Sequence, residues 1–398
     1  MNIKGKMNEI SWRSVAVGFL LAVGLFLGIV IGVVHELKID GTKLAQVARF
    51  LMTMQFVESQ YVNEVDSKTL IDGAIGGMVR SLDDPYSVYL PPDMLKRLQA
   101  QTSGEFGGIG VVMRFDNSRV FVQSVMDGTP GEAAGLMAGD EILAVDGVLT
   151  SDMEPEHVAM SIRGEKGTDV VLTIGREGEK DTDYTLTRDM IHCDTAAGTM
   201  IGNPDEGIGY IRVSSFSENT AKEFETSYND LKEKGLNGLI IDLRGNPGGF
   251  VTTCVDIANL VVPKGTIVSV VQRDGTKEVY ESKLEESTCP IVVLIDEGSA
   301  SASEILAGAL QDTGVATIVG RTSFGKGSVQ VVMPIPGEAD AVKLTIAKYY
   351  TPNGRSLMGT GITPDVDIEQ PKDAVTDVQL EKAVEVMREK ISSPVQAE

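Results

Sequence analysis

The 398-residue sequence has few of the side chains that most often build metal centres, with three histidines and three cysteines. The cysteines, Cys193, Cys254 and Cys289, have neither the close spacing of a zinc site nor the even number of a disulfide framework. We interpret them as small core residues, and their spacing does not indicate a redox compartment. No metal and no organic cofactor are expected.

Basic side chains are also scarce, since 35 Lys and Arg stand against 57 Asp and Glu and the net charge is −22. This charge repels phosphate polyanions, so nucleic-acid binding is disfavoured, and acidic membrane surfaces do not attract the body of the chain. With 42% hydrophobic and 23% charged residues, the chain is too apolar to be disordered. Its length is sufficient for two or three packed domains.

The amino terminus departs from this average composition. Residues 15–34 are twenty uncharged residues, VAVGFLLAVGLFLGIVIGVV, which span about 30 Å as a helix, the thickness of a bilayer's hydrocarbon core. Lys4, Lys6 and Arg13 precede this run, so the positive-inside rule predicts a cytoplasmic tail at 1–14, a transmembrane anchor and an extracytoplasmic body. A cleaved signal peptide and a buried core helix are the alternatives, although the run ends in IGVVHELKID without an A-x-A-like site.

Residues 35–101 are predicted to be a helical segment. LAQVARFLMTMQFVESQYV and IDGAIGGMVRSL place apolar residues at three-and-four spacing, and LDDPYSVYLPP then ends the pattern. At the other end of the chain, DVQLEKAVEVMREKI predicts a helix within a C-terminal segment at 372–398. The apolar helices near residues 40–62 and DVQLEKAVEVMREKI are candidates for pairing two copies of the chain, and intrachain packing or a solvent-facing position is the alternative.

Between 102 and 190 the pattern changes to short strands, among them GIGVVMRF, RVFVQSV and DVVLTIGRE, separated by glycine-rich turns. This region resembles a PDZ domain in its GGIG turn and in GTPGEAAGLMAGDEILAVDG. The resemblance implies that Gly108, Ile109 and Gly110 bind a peptide's terminal carboxylate through backbone N–H groups, while the adjacent strand edge accepts the peptide. An ordinary tight hairpin is the alternative for GGIG alone. A dinucleotide-binding loop is excluded, because no G-x-G-x-x-G followed by a helix is present.

Residues 191–371 contain two strand–turn–helix units. GLIIDLRGNPGG and PIVVLIDEGSASA are buried strands that lead into turns, and FVTTCVDIANLVV and SEILAGALQDTG are the helices that follow. Such units predict a sheet that is at least partly parallel, with functional groups at the carboxyl ends of its strands.

Three serines, Ser299, Ser301 and Ser303, lie at the start of the second of these helices. The SASE stretch that begins at Ser301 and ends at Glu304 has the spacing of a capping box, so local spacing alone favours a structural role. A serine nucleophile also needs a base. The three histidines lie beside the membrane run, in the PDZ-like region and at a domain junction. A Ser-His-Asp triad is therefore poorly supported, and a lysine is the remaining candidate base.

Lys326, in TSFGKGSVQ, lies between two glycines in an apolar stretch, where burial would lower its pKa towards neutrality. A surface lysine in a turn is the alternative interpretation. Residues 320–327 also have the spacing of a phosphate-binding loop, but glycine stands where Ser or Thr would ligate magnesium, and a strand follows rather than a helix. A nucleotide site is therefore disfavoured.

Taken together, these segments resemble the carboxyl-terminal processing peptidases, also called tail-specific proteases. The similarity covers about residues 40 to 370 and includes LDDPYSVYLPP, DLRGNPGG, EGSASASEILAGALQD and TSFGKGSVQ. It implies a serine endopeptidase in which Ser301 is the nucleophile, Lys326 is the general base, and Gln330 orients the lysine.

The same resemblance implies an oxyanion hole formed by the backbone N–H groups of Ala302 and Gly248, with Gly249 as the alternative to Gly248. No position of these motifs departs from the active pattern, which disfavours an inactive relative. The expected partners are protein substrates with free, nonpolar carboxyl termini, and the resemblance also suggests a homodimer.

The predicted fold class is α/β multidomain, with an N-terminal transmembrane helix, a helical segment, and a PDZ-like β domain inserted before a crotonase-like βα protease core. The expected protein is a single-pass cell-membrane protease whose extracytoplasmic catalytic domain cleaves proteins near their carboxyl termini. Two alternatives stay open at this point. One is a catalytically silent, membrane-anchored PDZ adaptor, and the other is a crotonase-like acyl-transfer enzyme.

Overall fold

The computed structural model describes residues 41–392, except residues 117, 118, 288 and 372. These residues belong to two units, which meet in sequence between Leu82 and Asp83. The predicted cytoplasmic tail at 1–14 and transmembrane anchor at 15–34 lie outside the described residues. Among the helices that are described, none is long and apolar enough to cross a membrane.

The first unit consists of two helices, α1 (Gly41–Gln60) and α2 (Ser67–Arg80). Their apolar spacing predicts them, and α1 contains no buried residue. Large apolar side chains of α1, including Phe50, Met52 and Phe56, are exposed. Among the described residues of this unit, these three side chains are therefore left uncovered.

The second unit begins with a short strand, β1 (Val88–Leu90), and a helix, α3 (Pro92–Ser103). The sequence pattern predicts only that LDDPYSVYLPP ends a helix. In the structure residues 88–90 of this stretch form β1, which pairs antiparallel with residues 341–343, far along the chain. This part of the predicted helical segment thus belongs to a sheet of the second unit.

The PDZ-like domain follows. Its elements are β2 (Glu105–Gly108), β3 (Val111–Asp116), β4 (Arg119–Val125), α4 (Pro130–Ala133), β5 (Glu141–Val145), β6 (Val148–Leu149), α5 (Pro155–Ile162), β7 (Asp169–Gly175), β8 (Thr182–Thr187) and β9 (Asp189–His192). The sheet order is β3-β4-β5-β7-β8, with β6 paired to β5, and β2 pairs with β9 where the chain enters and leaves. Alternating side chains of β7 are buried, as the period of a one-sided sheet requires.

The remaining elements form the core domain. They are β10 (Ala196–Ile201), β11 (Ile208–Val213), α6 (Thr220–Glu233), β12 (Gly238–Asp242), α7 (Val251–Val261), β13 (Gly265–Gln272), β14 (Lys277–Ser282), β15 (Ile291–Ile295), α8 (Ala302–Asp312), β16 (Ala316–Gly320), β17 (Ser328–Pro334), β18 (Ala341–Tyr350), β19 (Val366–Asp367) and α9 (Val378–Ser392). A six-stranded sheet has the order β10-β11-β12-β15-β16-β19. Every pair from β11 to β19 is parallel, which confirms the predicted sheet.

The central strands β12 and β15 are buried along their whole length, which shows that this sheet is covered on both faces. Side chains such as Ile241 and Val293 pack with those of α7 and α8 on one face. Their neighbours Ile240 and Val292 pack with α9 on the other face. A second sheet, ordered β1-β18-β13-β14 with β17 beside β18, completes the domain.

Candidate active site

The turns that follow β12, β15 and β16 meet at one edge of the parallel sheet. Because these strands are neighbours and run in the same direction, their carboxyl ends bring together the candidate oxyanion, nucleophile and base residues. The Ala300 N–H donates to the Asn246 carbonyl at 3.0 Å, and the Phe324 N–H donates to the Ser299 carbonyl at 3.0 Å. Direct backbone hydrogen bonds therefore join the three turns.

Ser301 is the N-cap of α8 and has backbone angles of φ 57° and ψ −113°, which L residues rarely adopt. Such a conformation costs about 1–3 kcal/mol and persists where the surrounding structure enforces it, often at a functional site. The residue is 9% exposed. This sharp strand-to-helix turn is a geometry that presents a nucleophile at the start of a helix.

The two neighbouring serines serve the structure of the turns. Ser299 is fully buried, and its hydroxyl donates to the Leu243 carbonyl at 2.8 Å. Ser303 is also fully buried, and its hydroxyl donates to the Asn246 carbonyl at 3.0 Å. Since both hydroxyls bind the turn after β12, Ser301 is the serine of the three that the geometry favours as a nucleophile.

The predicted capping box at the start of α8 is present, and its acidic member makes further contacts. Glu304 is fully buried, and one carboxylate oxygen accepts the N–H groups of Ser301 at 2.8 Å and Lys326 at 2.9 Å. The other oxygen accepts the Ser323 hydroxyl at 2.6 Å and the Gly325 N–H at 2.7 Å. These donors satisfy the buried charge. One carboxylate thus holds the turn of the candidate nucleophile against the turn of the candidate base.

Tyr349 on β18 contacts the same two turns. Its hydroxyl donates to the Lys326 carbonyl and lies 3.3 Å from the Ser301 carbonyl oxygen. Burial, followed by the nearby charge of Glu304, raises the pKa of Tyr349 well above its usual range. The phenol therefore stays protonated and acts as a hydrogen-bond donor.

Lys326 is half-buried in the turn between β16 and β17. Burial is the main cause that lowers the pKa of its ammonium group, and the charge of Lys343 on β18 acts in the same direction. The carboxylates of Glu304 and Asp84 oppose this shift without reversing it. The direction is the one a general base needs, because only a neutral amine can accept a proton.

Gln330 lies on β17, close in sequence to Lys326. Its amide nitrogen donates to the hydroxyls of Ser328 at 2.8 Å and Thr345 at 3.2 Å. These two bonds fix the carboxamide on the second sheet. Its role in orienting Lys326 stays a prediction.

Gly248 lies directly against the start of α8. Its φ is +99°, and a Cβ there would be 2.8 Å from the Ser301 Cβ and 2.9 Å from the Ala302 nitrogen, so a side chain would not fit. Gly249 also has a positive φ, and a Cβ there would be 2.1 Å from the Phe216 carbonyl oxygen. Gly248 and the positive end of the α8 dipole therefore adjoin the candidate nucleophile.

The Gly248 N–H donates to the side-chain oxygen of Asn246 at 2.8 Å. Asn246 is fully buried, and its amide nitrogen donates to the Val213 carbonyl at 2.9 Å. In this conformation the Gly248 N–H is therefore engaged within its own turn. An oxyanion would have to replace the Asn246 oxygen as its acceptor.

An ion-pair network joins the turn after β12 to the C-terminal helix. Asp242 is fully buried, and Arg244 donates to it at 2.7 Å. The same guanidinium donates to Asp377, just before α9, at 2.8 Å. The Gly245 N–H then donates to Asp296 at 2.7 Å, in the turn that leads to the candidate nucleophile. This network supports the geometry of both turns.

The candidate peptide-binding residues Gly108, Ile109 and Gly110 lie immediately before β3, the edge strand of the PDZ-like sheet. Gly108 pairs with Asp189 in β9, Ile109 is buried, and Gly110 has a φ of +74°. In the described part of the chain, β3 pairs on one side only, with β4. Its other edge is therefore available to an added strand.

Within the described residues, His192, Asp194 and Glu223 have ligand atoms close enough together to hold a metal ion. His192 Nε2 lies 3.0 Å from Glu223 Oε1 and 3.4 Å from Asp194 Oδ1. The cluster lies where the chain returns from the PDZ-like domain. Because Glu223 comes from α6, the local spacing of the sequence does not indicate this cluster.

Sequence reasoning treats Glu304 only as a helix cap and does not single out Tyr349. One signal in the sequence could have drawn attention to Glu304. It lies in the first turn of SEILAGALQD. Apart from this glutamate and the final Gln and Asp, the residues of the stretch are apolar or small, and a glutamate buried in such a helix needs partners elsewhere.

Three family models match consecutive parts of the chain. The N-terminal domain of the activating protease CtpB matches residues 33–93, the PDZ domain matches 97–175, and peptidase family S41 matches 207–368. The last match favours the protease interpretation of the core over acyl transfer.

Proteins that are similar to this chain are carboxy-terminal processing proteases. A carboxy-terminal-processing protease of Bartonella bacilliformis is 42% identical over 334 residues, which cover 82% of this chain and 76% of that protein. The carboxy-terminal processing protease CtpA of Bacillus subtilis is 39% identical over 317 residues, or 79% of this chain and 67% of that protein. The solved structure of a photosystem II D1 C-terminal processing protease is 29% identical, with a TM-score of 0.50, and the match covers 85% of this chain and 96% of that one. The chain therefore belongs to peptidase family S41 and is a carboxy-terminal processing protease, a serine-type endopeptidase.

Proposed function

We propose that this protease uses Ser301 as its nucleophile and Lys326 as its general base. The observation that carries the assignment is the shared carboxylate of Glu304, one oxygen of which binds the N–H groups of both residues at 2.8 and 2.9 Å. The strained backbone of Ser301 and the burial of Lys326 support the same assignment.

In the proposed acylation step, neutral Lys326 accepts the proton of the Ser301 hydroxyl while the Ser301 oxygen attacks the carbonyl carbon of the scissile peptide. The charge on the carbonyl oxygen is stabilised by the N–H groups of Ala302 and Gly248 and by the α8 dipole. Protonated Lys326 then donates to the leaving amine, the C–N bond breaks, and an acyl-enzyme on Ser301 remains.

In the proposed deacylation step, a water molecule gives a proton to Lys326 and attacks the acyl carbon. The new carboxyl terminus leaves, and Lys326 returns the proton to Ser301. Gln330, fixed by the hydroxyls of Ser328 and Thr345, orients the amine during both steps.

The oxyanion hole of this proposal requires one local rearrangement. The Gly248 N–H donates to Asn246 in the structure, so binding of substrate has to turn this donor towards the oxyanion. Gly249 is the alternative donor. Because both glycines have positive φ values, the peptide units of this turn can reorient at positions where glycine carries little steric penalty.

We propose that the PDZ domain selects substrates by their free carboxyl terminus. The turn at 108–110 can direct backbone N–H groups at one carboxylate, and the open edge of β3 can accept the tail as an added strand. Val111 and Met113 of β3 share an apolar cluster with Val158 of α5. This cluster supports the choice of substrates with nonpolar carboxyl termini.

We further propose that the PDZ domain controls access to the catalytic residues. The Glu218 N–H donates to the Thr102 carbonyl at 3.3 Å, at the entrance to the PDZ domain. Two residues earlier, the Phe216 N–H donates to the Gly248 carbonyl at 2.9 Å. One short segment thus contacts both the PDZ entrance and the oxyanion turn, which supports a gate that acts on Gly248.

On the sequence of residues 15–34, we propose that the protease is anchored in the cell membrane with its catalytic domain outside the cytoplasm. Fractionation of cells that express the full chain or a chain lacking residues 15–34 tests the anchor, and recovery of the full chain with soluble proteins would contradict it.

We also propose that the protease forms a homodimer. The exposed apolar side chains of α1 support this assembly.

The catalytic proposal is tested with the purified protein and a peptide that has a nonpolar carboxyl terminus. Ser301→Ala and Lys326→Ala should each abolish turnover, and the double variant should lose little more, because the two residues act as one unit. Lys326→Arg should also be inactive, because guanidinium does not lose its proton at working pH. Ser303→Ala is the matched control and should retain substantial activity. An active Ser301→Ala or Lys326→Arg variant would refute the dyad.

A further inference from the structure

The stretch LDDPYSVYLPP has no part in the mechanism described so far, and yet it contacts the general base. The Lys326 Nζ lies over the ring of Tyr86, 5.1 Å from the ring centre. Asp84, two residues earlier, is close enough for its charge to act on Lys326. The turn at 84–87 therefore borders the amine that has to accept the proton.

This turn is fixed to β18 by a chain of hydrogen bonds. Asp84 accepts the Tyr86 N–H at 3.1 Å on one carboxylate oxygen and the Ser87 hydroxyl at 2.6 Å on the other. Ser87 is buried, and its hydroxyl oxygen accepts the Thr345 N–H at 3.0 Å. Strand β1 then continues the attachment by pairing with residues 341–343.

The anchor of the turn is also the anchor of Gln330. The Thr345 backbone binds Ser87, and the Thr345 hydroxyl accepts the Gln330 amide at 3.2 Å. Thr345 of β18 thus positions both the turn at 84–87, which borders the Lys326 amine, and Gln330, which follows Lys326 in the chain. Together these contacts support the surroundings of the amine.

The charges around Lys326 show why its surroundings have to exclude water. The groups that face it are Lys343 of β18, Glu304 of α8 and Asp84 of the turn, while the Tyr349 hydroxyl binds its carbonyl. Of the three charged groups, only Lys343 disfavours the ammonium, and the two carboxylates favour it. A neutral amine therefore depends on desolvation, and Tyr86 is the side chain that lies over the nitrogen.

We propose that the turn at 84–87 is a positioning element for the general base, in which the Tyr86 ring covers the Lys326 amine and keeps water from it. This inference rests on the proposed role of Lys326. A ring also attracts a cation, which opposes the effect of shielding. The ring centre is 5.1 Å from the nitrogen, within the range of that attraction, but burial is the largest cause of the lowered pKa of Lys326, so shielding outweighs the attraction.

The test is the pH dependence of kcat/KM in the full chain, for wild type and for Tyr86→Phe, Tyr86→Leu and Tyr86→Ala. Tyr86→Ala admits water, so the rising limb should move to higher pH by about one unit, which is about a tenfold loss at pH values below the limb. The loss should disappear at high pH. Tyr86→Phe and Tyr86→Leu keep an apolar cover and should leave the limb near its wild-type position.

An unmoved limb in Tyr86→Ala, or a limb that moves to lower pH, would overturn the inference, the latter because it shows that attraction of the cation dominates. Ser87→Ala is a second variant in case Tyr86→Ala does not fold. It breaks the bond to Thr345 and should move the limb upward by a smaller amount, and an unmoved limb there is also contrary to the inference. Lys326→Ala is measured in parallel. If it stays active the proposed dyad fails, whereas an inactive Lys326→Ala with an unmoved limb in the turn variants overturns only the role of the turn.

Discussion

Replacement of Glu304 by glutamine tests whether one buried carboxylate holds the proposed nucleophile, Ser301, and the proposed base, Lys326, together. Glutamine has the same size but replaces one acceptor oxygen by an NH₂ donor. In the more favourable of its two orientations, the glutamine side chain places its amide oxygen where it still accepts hydrogen bonds from the N–H groups of Ser301 and Lys326. The NH₂ group then meets the Ser323 hydroxyl, which can accept, and the Gly325 N–H, which cannot.

The size of the effect follows from the bond that is lost. A hydrogen bond to a charged group contributes about 1.5–3 kcal/mol, so the loss of the Gly325 bond destabilises the turn of the base by about that amount. If the whole loss acts on the catalytic geometry, kcat falls by about ten- to two-hundredfold, since about 1.4 kcal/mol is a factor of ten.

The same substitution has a second effect, on the pH profile. The negative charge of Glu304 raises the pKa of Lys326, in opposition to burial. Without this charge the ammonium loses a favourable interaction, so the pKa falls further and the rising limb of kcat/KM moves to lower pH. Glu304→Gln should therefore have a lower maximal rate and an earlier onset of activity as pH rises.

The assay is kcat/KM for a tail peptide across the pH range, together with thermal unfolding to confirm that each variant folds. Ser323→Ala is the matched control, because it removes one donor to the carboxylate and leaves the charge. It should lower the rate without moving the limb. A wild-type maximal rate in Glu304→Gln, or a limb that moves to higher pH, would show that Glu304 does not have this role.

Three further predictions concern other parts of the site. Gly248→Ala should abolish turnover, because its Cβ would be 2.8 Å from the Ser301 Cβ at a φ of +99°, and retained kcat in a folded variant would contradict this. Amidation of the substrate's terminal carboxylate should raise KM, and kcat should fall as well if the PDZ domain gates the site. Equal rates for free-acid and amidated peptides would exclude carboxylate recognition. Asp377→Asn should lower the free energy of unfolding by about 1 kcal/mol, since it weakens a partly exposed pair with Arg244, and an unchanged denaturant midpoint would show that this pair does not hold α9.

The parallel core could be predicted because its signals are local. Short apolar strands that lead into glycine-rich turns and amphipathic helices indicate β12, β15 and the helices that follow them. The parallel order then brings the turns to one edge, where functional groups were expected and where the turns after β15 and β16 contain Ser301 and Lys326. The resemblance supplied the choice of Ser301, which local spacing alone would have assigned to capping.

The contacts that complete the site could not be predicted, because they join residues distant in sequence. The partners of Glu304 at 323–326 follow another strand, and β1 is a strand of three residues that pairs with β18 near the end of the chain. The positive φ of Ser301 likewise has no signal in its residue type, since serine favours ordinary cap geometry. These features appear only when the turns are packed together.

The proposed roles of Ser301 as the nucleophile and of Lys326 as the group that makes it reactive can be tested together. Purified protein is labelled with a fluorophosphonate at several pH values, and the modified residue is located by mass spectrometry. The label should be found on Ser301, its rate should rise through one ionisation above the histidine range near 6.5, and it should be lost in Lys326→Ala. Label on Ser299 or Ser303, or labelling of Lys326→Ala at the wild-type rate, would contradict these roles.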